Sequence, residues 1–349
     1  MKALFVGPAS TPITGQSLVF DIACKNYQGD KHVVYTTGNG FYYPFVYLLK
    51  IVIYLFRNDY ELIYFTSSRS RFGFLRDLPL LLFCLAKPSV KLVNHLHGAD
   101  VNFFLDSLTP VERMLVLKCY GAITTSIVLS EGMKEQYSQW QNMNTVVLKN
   151  PYVEPVETIS VIEKAKDFRN GGEIKVLFLS NLIKEKGLIE LLTAIKSVKN
   201  LGINISLDIA GASFDNDVYR EVSKDLDAKY ITFHGVVSGR DKIRLLGECN
   251  VIALPSYYVT EAQPMCLLEG MAAGAIALST IHNYIPEFLP EETGLLVEKR
   301  STEALVSALK HIDSNRHHFT KVMMYNSDFV KREHSLYRFK DGLNKILRV

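Results

Sequence analysis

The chain has 349 residues, 48% of them apolar and 21% charged, with a net charge of +3. That balance excludes a disordered, fibrous or low-complexity chain, and the length predicts two domains. The charge is uneven. Residues 1–152 carry the whole positive excess, concentrated in 41–91, where Lys50, Arg57, Arg69, Arg71, Arg76, Lys87 and Lys91 stand against Asp59, Glu61 and Asp77. Such a patch suits an anionic membrane surface or a phosphorylated ligand as well as an ordinary solvated surface, and it is too mild for nucleic-acid binding.

Short β-branched runs alternate with helical patterns along the chain. In the first half, strands are expected at 2–7, 31–36, 60–65, 90–96, 120–124 and 144–148. Helices are expected near 15–27, 42–56, 74–86, 109–118 and 130–139. In the second half, strands at 174–180, 203–210, 231–234, 250–254, 275–279 and 294–297 alternate with helices near 187–199, 217–227, 239–248, 264–273 and 301–313. After 314 only helix is predicted, ending in 332–347 with Leu336, Phe339, Leu343 and Ile346 at helical spacing. Strand–helix alternation of this kind reads as parallel, doubly wound sheet, and twelve strands in two sets of six predict two Rossmann-like domains. The stretch from Asn150 to Gly172 contains Pro151, Pro155 and Gly171 and reads as the linker. The expected domains are therefore 1–155 and 156–329, with a terminal helix in 330–349 able to pack back on the first.

Five scattered cysteines (Cys24, Cys84, Cys119, Cys249, Cys266) form no C-x-x-C pair. They argue against a disulfide scaffold or zinc site and fit a reducing compartment. MKALFVGPAS reads as a strand and a Gly-Pro turn rather than a signal peptide. The longest apolar stretch, 41–56, is broken by Lys50 and falls short of the ~20 residues of a spanning helix. The chain is expected to be cytoplasmic, at most leaning on the inner face of a membrane.

The informative segment is EAQPMCLLEGMAAG at 261–274, after the apolar strand NVIALPS. A turn between a parallel strand and a helix is where α/β proteins bind phosphate, because free N–H groups and the helix dipole meet the anion. Pro264 suits the first helical turn. Glu261 then lies on the loop, and Glu269, more than a turn into the helix, can accept hydrogen bonds from both hydroxyls of a ribose. Taken alone, the pair also fits a capped amphipathic helix. Upstream, FLSNLIKEKG at 178–187 is again strand, turn and helix start, with Lys184 and Lys186 placed to meet a diphosphate. PSYYVTEAQP brings Ser256 near the same strand end. The D-x-D patterns at 215–217 and 225–227 read as surface charge, the first in a loop and the second in a polar helix. No metal-ligand cluster, G-x-S-x-G elbow or G-x-G-x-x-G turn is present.

The block LPSYYVTEAQPMCLLEGMAAGAIALST, with IPEF and TGLLV after it, resembles the donor half of the family 4 glycosyltransferases, whose signature is E-x7-E followed by M-A-x-G. LSNLIKEKG, the HGAD segment at 97–100 and LKNPY at 148–152 extend the resemblance, which covers about 120–298 well and the first 90 residues in outline. The resemblance implies the GT-B fold, two Rossmann-like domains facing a cleft, and transfer with retention. It implies that Glu261 faces the donor sugar, Glu269 holds the ribose, and Lys186 neutralises the diphosphate with the backbone of Gln263, Pro264, Met265 and Cys266. It further implies that His97 lies near the reacting face of the sugar, that Gly15 lets backbone approach the diphosphate, and that the edge around Val236 holds the base. Asn181 stands where the family usually has arginine, which shifts leaving-group neutralisation onto Lys186 and Lys184. His97, Gly15 and Ser256 each also have a structural reading, as strand end, helix start and turn. The implied donor is a UDP- or GDP-sugar, with no cofactor or metal. The implied acceptor is a glycan or lipid-linked glycan of a cell-surface polysaccharide. A GT-B-type nucleotide-sugar isomerase and a non-catalytic partner protein are the alternatives.

Overall fold

A computed structural model describes residues 1–10, 14–38, 43–153 and 160–348. The chain divides into two compact units, Met1–Pro151 with Tyr337–Val349, and Tyr152–Leu336. The expected 155/156 boundary and the loop at 11–13 lie outside the described residues, as does residue 42 of the second expected helix.

The first unit holds β1 (Ala3–Gly7), α1 (Gly15–Asn26), β2 (Lys31–Tyr35), α2 (Tyr43–Arg57), β3 (Leu62–Phe65), α3 (Arg71–Ala86) and β4 (Lys91–His95). It continues with α4 (Val101–Asp106), α5 (Pro110–Tyr120), β5 (Thr125–Val128) and β6 (Asn144–Val147). Its sheet is parallel throughout, in the order β2-β1-β3-β4-β5-β6. All five residues of β1 and all four of β3 are buried, as befits strands covered on both faces. Right-handed crossovers put α1 on one face and α2 and α3 on the other, because the chain reverses direction across the sheet after β2. The α1 side is closed by the last helix, α14 (Leu336–Leu347): its Phe339, Leu343 and Leu347 share a buried cluster with Val19, Phe20, Phe5 and Tyr64.

The second unit runs α6 (Val161–Arg169), β7 (Ile174–Leu179), α7 (Leu188–Asn200), β8 (Ile205–Ala210), α8 (Asn216–Ser223), β9 (Ile231–Phe233) and α9 (Gly239–Glu248). It then runs β10 (Val251–Leu254), α10 (Met265–Ala272), β11 (Ile276–Thr280), α11 (Ile285–Phe288), β12 (Gly294–Val297), α12 (Thr302–Ser314) and α13 (Arg316–Glu333). Its parallel sheet has the order β12-β11-β10-β7-β8-β9. The strand order therefore reverses between β7 and β10, which pair directly through Val251–Val176 and Ile252–Leu177. Ligands of open α/β sheets sit beyond the strand ends at such a reversal.

Several expectations are corrected. The strand expected at 120–124 lies at Thr125–Val128, because α5 runs on to Tyr120 and ends at Gly121, whose N–H donates to Leu117 and Lys118 carbonyls. That helix starts where Thr109 and Glu112 form a capping box, with Pro110 as its first helical residue. The helix expected at 130–139 is a 3-10 helix, Gly132–Tyr137. The polar linker hides α6, capped by Ser160 and anchored by Val161, Ala165 and Phe168. Asp215 caps α8 through its own carboxylate, and Asp225 lies beyond that helix, paired with Lys196. Pro264 precedes α10 rather than opening it.

Candidate functional site

The β7 and β10 ends lead into the two loops that carry the expected diphosphate and sugar residues. After β7 the chain makes a short 3-10 turn, Lys184–Lys186, and passes through Gly187 at φ +77°. Any side chain at Gly187 would collide with the carbonyl of Pro255, so only glycine lets the two loops touch. The contact is sealed by Tyr257 N–H donating to the Glu185 carbonyl at 2.8 Å.

This fixes Lys186 opposite the β10 loop. Its Nζ lies 2.6 Å from Glu261 Oε2 and 4.8 Å from the centre of the Tyr258 ring. Both members of the ion pair are largely buried, at 13% and 10% side-chain exposure. Ser256 Oγ donates to the same Glu261 oxygen at 2.9 Å and accepts from Tyr258 N–H at 3.2 Å. The loop is pinned from behind. Asn283 Nδ2 donates to the carbonyls of Val259 and Glu261, and the Thr280 hydroxyl donates to the Ser256 carbonyl.

Glu269 lies in the second turn of α10, only 3% exposed, with Lys242 Nζ of α9 at 2.9 Å from Oε1. Lys242 was not among the expected residues. It sits three and four residues before Leu245 and Leu246, on the buried stripe of α9, and a charge on an apolar stripe signals a buried partner. Cys266 lies near both pairs. Burial first, then the Glu261 and Glu269 charges, push its thiol up to about 12, offset by Lys186 and Lys242, so the sulfur is a neutral spacer. The first turn of α10 has no side-chain cap, since Pro264 stands at the cap position. Its first N–H groups therefore have no side-chain cap, and a helix start of that kind can meet an anion. At its other end, Lys164 Nζ donates to the carbonyls of Ala273 and Cys249, placing a cation where the helix dipole is negative.

The structure thus gathers Lys186, Ser256, Glu261, Gln263, Pro264, Met265, Cys266 and Glu269 around the start of α10. Lys184 and Asn181 are exposed on the same β7 loop, with the Asn181 carbonyl accepting from Ile183 N–H at 2.9 Å. Val236 is exposed beyond β9, the edge strand, next to Gly235 at φ +65°. The Gly235 carbonyl accepts from Gly211 N–H, which ties this edge back to the end of β8.

The other two expected residues belong to the first unit. Gly15 is the first residue of α1, after Thr14, which forms a capping box with Ser17. His97 lies two residues past β4, its ring 4.1 Å from that of His95. Burial, His95 and Arg69 hold the His97 pKa well below the ordinary histidine value, so the ring is neutral. His95 bonds Tyr64 Oη through Nδ1 at 2.6 Å. His97 Nε2 is buried without a hydrogen-bond partner among the described residues. Arg69 and Asp100 form an ion pair beside it, close around Gly98.

Residues 161–327 match the model of the group 1 glycosyl transferases. A curated relative, a putative colanic acid biosynthesis glycosyltransferase of Salmonella typhimurium, is 26% identical over 145 residues, covering 40% of this chain and 36% of that protein. The match thus spans about a third of the relative's length. Among solved structures, Anabaena HepE in complex with UDP superposes with a TM-score of 0.74 at 15% identity, over 99% of each chain. Sucrose-phosphate synthase of Thermosynechococcus elongatus does so with 0.73 at 17%, over 99% of this chain and 98% of that one. These likenesses show the fold, which is GT-B. The second unit is therefore similar to the group 1 glycosyl transferases, on a chain whose fold is GT-B.

Proposed function

We propose that the chain is a retaining glycosyltransferase that moves a sugar from a UDP- or GDP-sugar to a glycan or lipid-linked glycan in cell-surface polysaccharide synthesis. The observation that carries the reading is the Lys186–Glu261 pair at the β7/β10 reversal, beside the uncapped start of α10 and with Glu269 one turn on. Breaking the sugar–phosphate bond leaves a nucleoside diphosphate, and stabilising that charge is the largest lever such a site has. In this reading Lys186 and the amides of Gln263, Met265 and Cys266 carry it, rather than a divalent ion. Lys186 exchanges its bond to Glu261 for the diphosphate, which frees the Glu261 carboxylate for the sugar hydroxyls. Glu269, held by Lys242, accepts from the ribose. His97, neutral and with Nε2 unfilled, offers a hydrogen bond to a hydroxyl in the first unit, and the acceptor hydroxyl passes its proton to the departing phosphate on the same face. Val236 and its neighbours hold the base through main-chain groups.

Thermal melting with UDP, GDP and ADP tests the donor site, since a ligand of the folded state raises the melting temperature by mass action. One nucleotide should stabilise the chain, and its sugar ester should be hydrolysed or transferred. No shift and no turnover with any nucleotide sugar would sink the reading. Binding without turnover would assign the chain to the non-catalytic partners, an outcome favoured only by the uncharged Asn181.

A further inference from the structure

The donor site leaves α2 and α3 without a role. α2 buries Tyr47, Ile51 and Leu55, four residues apart, against its own unit. A surface helix with that stripe should be polar on the opposite side. Instead Phe45, Leu49, Val52 and Phe56, spaced four, three and four, form a second apolar stripe that is exposed, Phe56 to 77%. On α3, which packs against α2, Phe72 is 87% exposed and Leu75 and Leu82 are exposed as well. The two helices share one face of the sheet, so their outward sides form one apolar surface, and such a surface marks a contact with something else.

The charges say with what. α2 has no acidic residue, and its two cations, Lys50 and Arg57, are exposed with no acidic partner among the described residues. The one acid on α3, Asp77, is buried against Arg76 at 2.8 Å, and exposed Asp59 is held by Lys87 at 2.9 Å. An apolar stripe with single-signed cations along it complements a lipid surface, with phosphate above and acyl chains below. No described helix is long and apolar enough to cross a membrane, and the fifteen residues of α2 span only ~22 Å.

We propose that α2 and α3 seat the first unit on an anionic bilayer, α2 lying in the interface with its apolar stripe among the acyl chains and Lys50 and Arg57 at lipid phosphates. The inference goes beyond the donor-site reading and does not rest on it.

The test floats the full chain on vesicles of phosphatidylcholine, alone or in equal parts with phosphatidylglycerol. The wild type should float with the mixed vesicles. The double variant Leu49→Glu with Phe56→Glu should bind about a hundredfold less. Lys50→Glu and Arg57→Glu should each cost about fivefold, on the anionic vesicles only. Unchanged melting temperatures check the fold, and Leu49→Ser with Phe56→Ser replaces any double variant that misfolds. A wild type that does not float, or a double variant that floats equally well, overturns the proposal. So does a dimer, seen by light scattering, that the double variant dissolves while no vesicle binds. Vesicle binding without nucleotide binding keeps this surface and sinks the donor reading, and the converse result does the reverse.

Discussion

The strand ends of the two units are built from opposite materials. In the second unit they carry charge: two Lys–Glu pairs, Lys186–Glu261 and Lys242–Glu269, flank the first turn of α10. In the first they carry neutral hydrogen-bonding groups. Asn94 bonds Ser126 at 3.0 Å and Tyr137 at 2.6 Å, and His95, buried, and His97, half-buried with its Nε2 out of solvent, are uncharged, with Arg69–Asp100 as the ion pair beside them. Salt bridges held this far from water gain little over apolar packing. Two of them at one strand-order reversal are therefore better explained by an anionic ligand than by stability. Neutral imidazoles and amides suit hydroxyl groups, which need direction rather than charge.

Four changes would break or sharpen that contrast. Lys186→Met should cost the most, lowering turnover by about 10²–10³ if the lysine meets the leaving group; steady-state kinetics with an unchanged melting profile decides it. Glu261→Gln should lower turnover by roughly 10–100-fold while free-nucleotide affinity, read by calorimetry, holds. Equal losses in both would move Glu261 off the sugar. Glu269→Ala should weaken nucleotide binding by roughly 1–3 kcal/mol, the cost of a lost charged hydrogen bond, and unchanged calorimetric affinity would remove it from the ribose.

The smallest effect belongs to the first unit. Burial lowers the His95 pKa from 6.5 to about 3, with His97 depressed by burial, by His95 and by Arg69. The unfolded chain then binds protons that the folded unit refuses. The stability these rings contribute is complete above about pH 6.5 and is lost as the pH falls towards 3. The protection factors of amides in β4 and β5, which divide out the slowing of exchange by acid itself, should fall on acidification, and His95→Gln should make that fall shallower. A pH profile identical to that of the wild type would show that the ring carries none of it.

Much of the second unit was legible because its signals are local. Glu261 and Glu269 lie on one strand–turn–helix, and Lys186 on another, so spacing alone put each on its loop. That the two loops touch depends on β7 pairing with β10, which no local pattern states. Lys242 shows itself in the sequence only as a charge on the Leu245–Leu246 stripe of α9, and no local spacing names its partner, which lies 27 residues away. The first unit was less readable. The neutral state of His95 and His97 depends on burial under elements distant in sequence, among them Phe339 of α14, whose ring stacks 6.4 Å from His95. At 120–124, the β-branched run misled because the capping box at Thr109 starts a helix long enough to consume its first residue.

The close approach at Gly187 has a practical consequence. Because the backbones of the two loops are in contact there, neither can be remodelled by itself. A designer who wishes to re-aim Lys186 towards a different leaving group, or widen the space around Glu261 for a bulkier sugar, inherits both segments as one rigid bracket. Grafting should therefore exchange 180–187 and 255–264 together, with the glycine retained.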